Sequence, residues 1–418
     1  MSLKAPEKMA EAPVGSEKVT VFRQKGSVTY RIPALLYLPL ESTFLAFAEE
    51  RSSPRDEDAK FLVMRRGQRE GTSVKWSPQE LLSTASLPKY RTMNPCPIYE
   101  VMNSTVFLFF ICVLDHITTQ QQILTSRNAA RLGYIFSKDA GRTWSPMIDL
   151  TEQVIGDNLR NWATFAVGPG HGVQLSSGRL VIPAYACCIQ RHCLGHPLFC
   201  CTKPHSFTFY SDDGGQTWLK GQLLKTLQAS ECQIAELVDQ NNSLVLYCNA
   251  RSSDKYRVEA FSRDGGCFFE DSFQSPKLQE TSHGCQGSVV SFPPLELGAK
   301  SPLASSKSPK SWLIFSHPTN PKKRVDLGIY LNTCPMQRDS WNCPWVLHQG
   351  PSGYSDLAVC QGEDSLFFGC LFECGESLSY EEIAFQFFSD AELLKTQDEY
   401  SAGKNPPPRG HAHACGTN

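Results

Sequence analysis

The chain has 418 residues, 41% hydrophobic and 20% charged, with a formal net charge of −2 at pH 7. That balance belongs to a folded globular protein and gives no basic field for nucleic acid, so an anionic ligand must be met by local arginines. The 17 cysteines show no zinc-ligand spacing, and so long a chain needs no disulfide framework. Most are read as reduced, small apolar core residues.

In chain order, residues 1–18 are polar and lack the apolar stretch of a secretory signal. Residues 1–20 are expected to be a flexible segment, and 21–398 a single domain. Within it the apolar segments are short and separated by Gly, Pro, Asp and Ser: 34–37, 44–48, 106–113, 180–183, 207–210, 244–248, 289–292, 312–315 and 366–372. Their aromatic and β-branched content reads as strands, an all-β chain. None approaches the roughly 20 residues of a membrane helix. Residues 298–310, rich in Ser, Lys and Pro, read as a mobile insertion. A helix is expected at 390–396 behind Ser389 as N-cap, and 399–418 read as a disordered tail.

One repeat organises the domain. Ser137-Lys-Asp139-Ala-Gly141-Arg-Thr143-Trp144 recurs as Ser211-Asp-Asp213-Gly-Gly215-Gln-Thr217-Trp218, and more weakly as Ser262-Arg-Asp264-Gly-Gly266-Cys-Phe268-Phe269. An Asp carboxylate can accept backbone N–H groups across a hairpin turn, Gly takes positive φ, and the final aromatic packs between sheets. Repeats at this distance, each with several short strands, predict the blades of a β-propeller, with these Asp-box turns closing hairpins. The turns specify fold, not chemistry.

Over roughly residues 21–388 the chain resembles the animal sialidases. The motifs are Tyr30-Arg31-Ile32-Pro33, the Asp-box turns, Gly284-Cys-Gln-Gly-Ser288, Arg324-Val-Asp-Leu-Gly328 and Gly353-Tyr-Ser-Asp356. Arg91-Thr-Met-Asn-Pro-Cys96, Asn161-Trp-Ala-Thr-Phe-Ala-Val-Gly-Pro-Gly-His171 and Gly350-Pro-Ser-Gly-Tyr-Ser355 are most similar to the membrane-associated, ganglioside-cleaving subgroup. The soluble cytosolic subgroup shares most of them.

The resemblance implies an exo-α-sialidase built as an all-β, six-bladed β-propeller of antiparallel four-stranded blades. Sialic acid carries a carboxylate on its anomeric carbon, and arginine meets it with a fork that lysine lacks. The family's triad falls on Arg31, Arg251 and Arg324, with Glu373 orienting Arg31. Tyr354 becomes the nucleophile and Glu231 the base that activates it; a neutral phenol avoids repulsion from the substrate's carboxylate. Asp56 is the acid/base residue, with Glu57 and Asp58 as neighbouring alternatives. Arg51, Asn94, Tyr185, Glu236 and Gln286 are further substrate contacts. Thr119 and Cys187 depart from the family pattern at positions that shape recognition of the glycerol tail.

No metal or organic cofactor is implied. The expected partners are sialylated glycolipids and glycans, not nucleic acid, and oligomeric state is left open. Cys187, Cys188, Cys193, Cys200 and Cys201 cluster with Leu194, Leu198 and Phe199, a segment suited to acylation or interfacial insertion, or simply a variable loop. Peripheral association with the plasma membrane or intracellular membranes is expected, the alternative being a cytosolic location. A rival reading is a non-catalytic sialoglycan-binding propeller, which would keep the arginines and could lose Asp56, Glu231 or Tyr354.

Overall fold

A computed structural model describes residues 17–190, 202–294, 310–362 and 365–401, with short backbone pieces at 192–193 and 196–197. The sheets are antiparallel and follow the chain. Thr29–Leu38, Thr43–Arg51, Ala59–Glu70 and Ser73–Trp76 make the first, and Tyr90–Glu100, Thr105–Leu114, Ala130–Ser137 and Ile148–Asp149 the second. Trp162–Val167, Leu180–Ile189, Thr202–Ser211 and Leu219–Lys220 make the third, and Cys232–Val238, Leu244–Ala250, Tyr256–Ser262 and Phe273–Gln279 the fourth. A seven-stranded sheet completes the set. It runs from Ser288–Phe292 through Trp312–Pro318, Val325–Asn332, the long Trp345–Gln361, Leu366–Cys374 and Glu382–Ser389 to Val19–Arg23.

These sheets form a propeller-like ring. Thr29–Leu38 touches Tyr90–Glu100, which touches Trp162–Val167. Leu180–Ile189 meets Cys232–Val238, then Ser288–Phe292, then Trp345–Gln361, which returns to Thr29–Leu38. Val19–Arg23 pairs with Glu382–Ser389 and so joins the two ends of the circuit. This strand begins two residues before the domain start expected at 21.

Aromatic layers fill the spaces between sheets. Phe109 meets the edge of Trp218 at 4.7 Å between centroids, and Trp218 is fully buried. The repeated turns deliver such rings. Asp213 accepts from the backbone N–H of Gln216 and Thr217 at 3.0 and 2.9 Å and from Thr217 Oγ1 at 2.6 Å; Asp139 does the same with Arg142 and Thr143. Burial opposes ionisation of both carboxyls, but the threonine and serine donors outweigh it and hold each at about 2. In the weaker copy Phe269 is the buried ring, whereas Phe268 is half exposed.

The expected terminal helix spans Asp390–Ser401, and Ser389 and Glu392 cap each other's backbone N–H groups. A second helix, Thr119–Thr125, carries a complete capping box between Thr118 and Gln121. Among described residues no helix is long and apolar enough to cross a membrane. Most described cysteines are free and buried, while Cys343 is disulfide-bonded. All of the expected insertion at 298–310 except Lys310, nearly all of the 399–418 tail, and the side chains of Cys193, Cys200 and Cys201 lie outside the described residues. Cys187 and Cys188 are buried on Leu180–Ile189.

Candidate active site

Several strands that carry cleft residues are interrupted by β-bulges, and the bulges turn side chains into a common cleft. Register shifts occur between Arg31 and Ala34, Glu50 and Arg51, Met93 and Cys96, Val325 and Leu327, and Ser352 and Ser355. Ile32, Asn94 and Asp326 take positive φ of 61°, 58° and 59° at three of them. For a β-branched residue such as Ile32 that conformation is strained and must be held by its surroundings. Glu373 supplies the hold, accepting the Ile32 N–H at 2.9 Å.

Glu373 lies at the centre of one wall. It takes the Arg31 guanidinium at 2.7 Å through Nε and the Tyr354 N–H at 3.0 Å, and is fully buried. Burial disfavours charge on both Arg31 and Glu373, but their mutual attraction outweighs it: Arg31 is raised and Glu373 lowered, so both stay ionised. Gly353 is required here, because a Cβ would stand 2.3 Å from Glu373 Oε2.

Tyr354 points its hydroxyl at Glu231, donating at 2.7 Å to Oε1 and lying 3.0 Å from Oε2. Arg251 Nη1 donates to both members of the pair, at 2.9 Å to Tyr354 and 2.7 Å to Glu231. The backbones of Arg251 and Glu231 pair directly, which fixes that triangle. Arg31 and Arg324 stand 5.6 and 5.4 Å from the Tyr354 ring centroid. Burial, then the Glu231 charge, raises the Tyr354 pKa; Arg251 and Arg324 oppose this without overcoming it. The resting form is therefore a neutral phenol already hydrogen-bonded to a carboxylate.

Opposite them Asp56 sits in a single 3₁₀ turn, Asp56–Asp58, with no side-chain cap. Its carboxylate meets Arg51 Nη1 at 2.7 Å yet remains 58% exposed. Crowding by protein works against its charge, but Arg51, Arg31 and the more distant Arg91 outweigh that and hold the pKa below the usual range. Glu57 and Asp58 pair with Arg55 instead, and Asp58 also accepts from Ser53.

The cleft holds about 290 Å³. Arg31, Arg51, Asp56, Asn94, Thr119, Tyr185, Glu231, Arg251, Arg324 and Tyr354 all line it. Two expected substrate contacts do not. Glu236 faces away and accepts from Ser176 N and Oγ. It lies five residues beyond Glu231 on an extended segment, hence on the other face and roughly 17 Å along. Gln286 is buried behind the cleft, exchanging hydrogen bonds with the Ser355 backbone. Cys187 is likewise absent from the lining. A roomier depression of about 590 Å³ beside Trp162, Lys203 and Lys225 has neither arginine nor tyrosine among the described residues that line it.

Three buried supports were not anticipated. Glu49 binds Arg51 and accepts the Asn94 N–H at 2.7 Å. Asp356 ties the strand after Tyr354 to Leu35 N, Ser288 Oγ and His171 Nδ1, each at 2.7 Å. Arg91 lends positive charge near Asp56 while donating to Leu114 and Ile117 carbonyls.

Comparison with known proteins places this geometry. Residues 42–368 match the BNR repeat-like domain. Sialidase-3 of Homo sapiens is 50% identical over 95% of this chain and 99% of its own length. Sialidase-2 of Mus musculus is 44% identical over 93% and 99%, and Sialidase-4 of Homo sapiens 40% over 94% and 96%. Among solved structures, the Hadza microbial sialidase Hz136 superimposes with a TM-score of 0.68 at 22% identity, covering 87% of this chain and 66% of that one. Trypanosoma rangeli sialidase gives 0.62 at 18%, covering 94% and 62%. At such identities the structural matches speak to the fold.

Proposed function

The chain belongs to the sialidase family, and we propose that it removes terminal α-linked sialic acid from glycolipids, gangliosides above all, through a covalent intermediate on Tyr354. It is an exo-α-sialidase, a glycoside hydrolase acting on sialylated glycoconjugates. The observation that carries the mechanism is the Tyr354–Glu231 hydrogen bond of 2.7 Å with Arg251 donating to both oxygens.

The substrate carboxylate seats against Arg31, Arg251 and Arg324, which presents the anomeric carbon to Tyr354 Oη. As that oxygen attacks, its proton passes to Glu231, and the developing phenolate charge falls beside Arg251. Asp56 gives a proton to the departing glycosidic oxygen. In the second half, Asp56 takes a proton from water, the hydroxide attacks the anomeric carbon, and Tyr354 leaves with the proton from Glu231. Two displacements retain configuration. Arg51, Asn94, Tyr185 and Thr119 complete the walls around the sugar.

The seven-stranded sheet is read as two blades sharing the 17-residue strand Trp345–Gln361, which makes six blades closed by Asp-box turns in one domain over 21–398. Peripheral membrane association is the reading that suits a glycolipid substrate. Tyr354→Phe tests the mechanism. Hydrolysis of a fluorogenic sialoside should fall on the order of 10³-fold or more, while a sialic-acid analogue still binds; near-normal turnover overturns the assignment. Equal turnover of ganglioside and soluble sialyl-lactose by the unaltered protein counts against the ganglioside preference.

A further inference from the structure

Two of the three arginines are bonded by one short segment that is not part of the cleft lining. His283 and Gly284 both take positive φ, at 64° and 71°. Their carbonyls point at the triad: His283 O accepts from Arg251 Nη2 at 2.8 Å, and Gly284 O accepts from Arg324 Nη2 at 2.9 Å. The approach is close enough to demand glycine, because a Cβ at 284 would stand 2.5 Å from Ser252 O and 2.9 Å from Arg251 Nε. The spacing of Arg251 and Arg324 is therefore the spacing of two consecutive carbonyls.

What fixes that turn is a buried carboxylate. Glu280 Oε1 accepts the N–H of Ser252, the residue after Arg251, at 3.0 Å. Its Oε2 accepts the N–H of Cys285, the residue after Gly284, at 3.1 Å. Arg257 Nη1 reaches Glu280 Oε1 at 3.0 Å and Cys285 O at 2.6 Å, and His317 Nε2 closes the cluster at 3.1 Å from Oε2. Arg257, Glu280 and His317 are all buried. Burial resists charge on Glu280, but Arg257 and His317 outweigh it and hold the carboxyl at about 2. It therefore stays an acceptor for four donors throughout the working range of pH.

We infer that Glu280 is a positioning residue for recognition of the substrate carboxylate, setting Arg251 and Arg324 in register through the Ser252 and Cys285 backbone. This rests on the reading of the arginines as the carboxylate seat. It extends a pattern: Glu373 serves Arg31 and Tyr354, Glu49 serves Arg51 and Asn94, and Glu280 serves the remaining two arginines.

Glu280→Gln tests it. The amide keeps the volume and one acceptor oxygen, but sets an NH₂ against N–H donors on its other side. Affinity is measured for a 2,3-unsaturated sialic-acid analogue and for its methyl ester, in variants whose folding is checked by thermal unfolding. The unaltered protein should prefer the free acid. In the variant the acid should weaken about tenfold and the ester less than about twofold, because only the acid engages the fork on both arginines. A folded variant that keeps the original acid-to-ester ratio overturns the role of Glu280. No preference for the acid in the unaltered protein overturns the carboxylate seat itself, a distinct result. If Glu280→Gln does not fold, His317→Phe removes one donor to Oε2 while keeping a ring against Phe315. It should narrow the ratio about threefold, and an unchanged ratio rejects the inference.

Discussion

On one wall of the cleft, Arg31, Glu231, Arg251, Arg324 and Tyr354 stand on strands or on residues flanking them, with Glu373 and Glu280 buried behind. On the facing wall Asp56 stands in one uncapped 3₁₀ turn, more than half exposed and ion-paired to Arg51. The first wall must keep fixed charges at fixed distances through the whole reaction. In the proposed reaction Asp56 gains and loses a proton and lets a leaving group out. Strain at Ile32 and buried charge at Glu373 are tolerable where rigidity is the requirement. An exposed turn suits a group whose ionisation must change when substrate arrives.

Replacing Asp56 probes the loose wall. Asp56→Asn should lower kcat on the order of 10² to 10⁴-fold for a natural sialoside, and much less for an aryl sialoside whose leaving group needs no proton. Equal losses on both substrates would mean that Asp56 is not the acid. The pH profile sharpens the same contrast. Arg51 and Arg31 depress the Asp56 pKa in the free enzyme, so the protonated acid is lost at low pH. A bound substrate carboxylate offsets those arginines and disfavours a second nearby anion, which raises it. The descending limb of kcat should therefore lie at higher pH than that of kcat/KM; coincident limbs would remove the electrostatic link between the walls.

The smallest effect on catalysis belongs to the far end of the ring. Asp213→Ala removes the acceptor for Gln216, Thr217 and Ser211 and should cost about 1 kcal/mol in denaturant unfolding at pH 7, with kcat/KM unchanged. The folded carboxyl titrates at about 2, below its unfolded value, so its contribution is present above the unfolded pKa. The gap between variant and parent should shrink as pH falls through that range. A gap constant down to pH 2 would assign the loss to something other than the ionised carboxylate.

The strands and the Asp-bearing turns could be read from sequence because their signals are local: short apolar runs, Gly at positive φ, an Asp four residues before Thr. The arginines and Tyr354 came through family likeness, since no local pattern shows that residues 31, 251, 324 and 354 meet. The bulges left a fainter trace. Ile32 and Asn94 each precede a proline, which removes a ladder donor at the point where register shifts. Glu49 and Glu280 were missed because a buried carboxylate resembles a surface acid until its partners are assembled. Glu236 was misplaced for a related reason: nearness to Glu231 in sequence conceals the odd strand step that turns it to the other face. The helix Thr119–Thr125 was missed because its residues form a polar run with little apolar periodicity, although Thr118-x-x-Gln121 is a capping box.

The central claim is that Tyr354, and not a carboxylate, takes the sugar. It is tested by trapping the enzyme with a sialosyl fluoride that carries a second fluorine at C3, which slows breakdown of the intermediate, and sequencing the labelled peptide by mass spectrometry. A sialosyl adduct on Tyr354, absent in Tyr354→Phe, is the predicted result. An adduct on Asp56 or Glu231 would contradict the account.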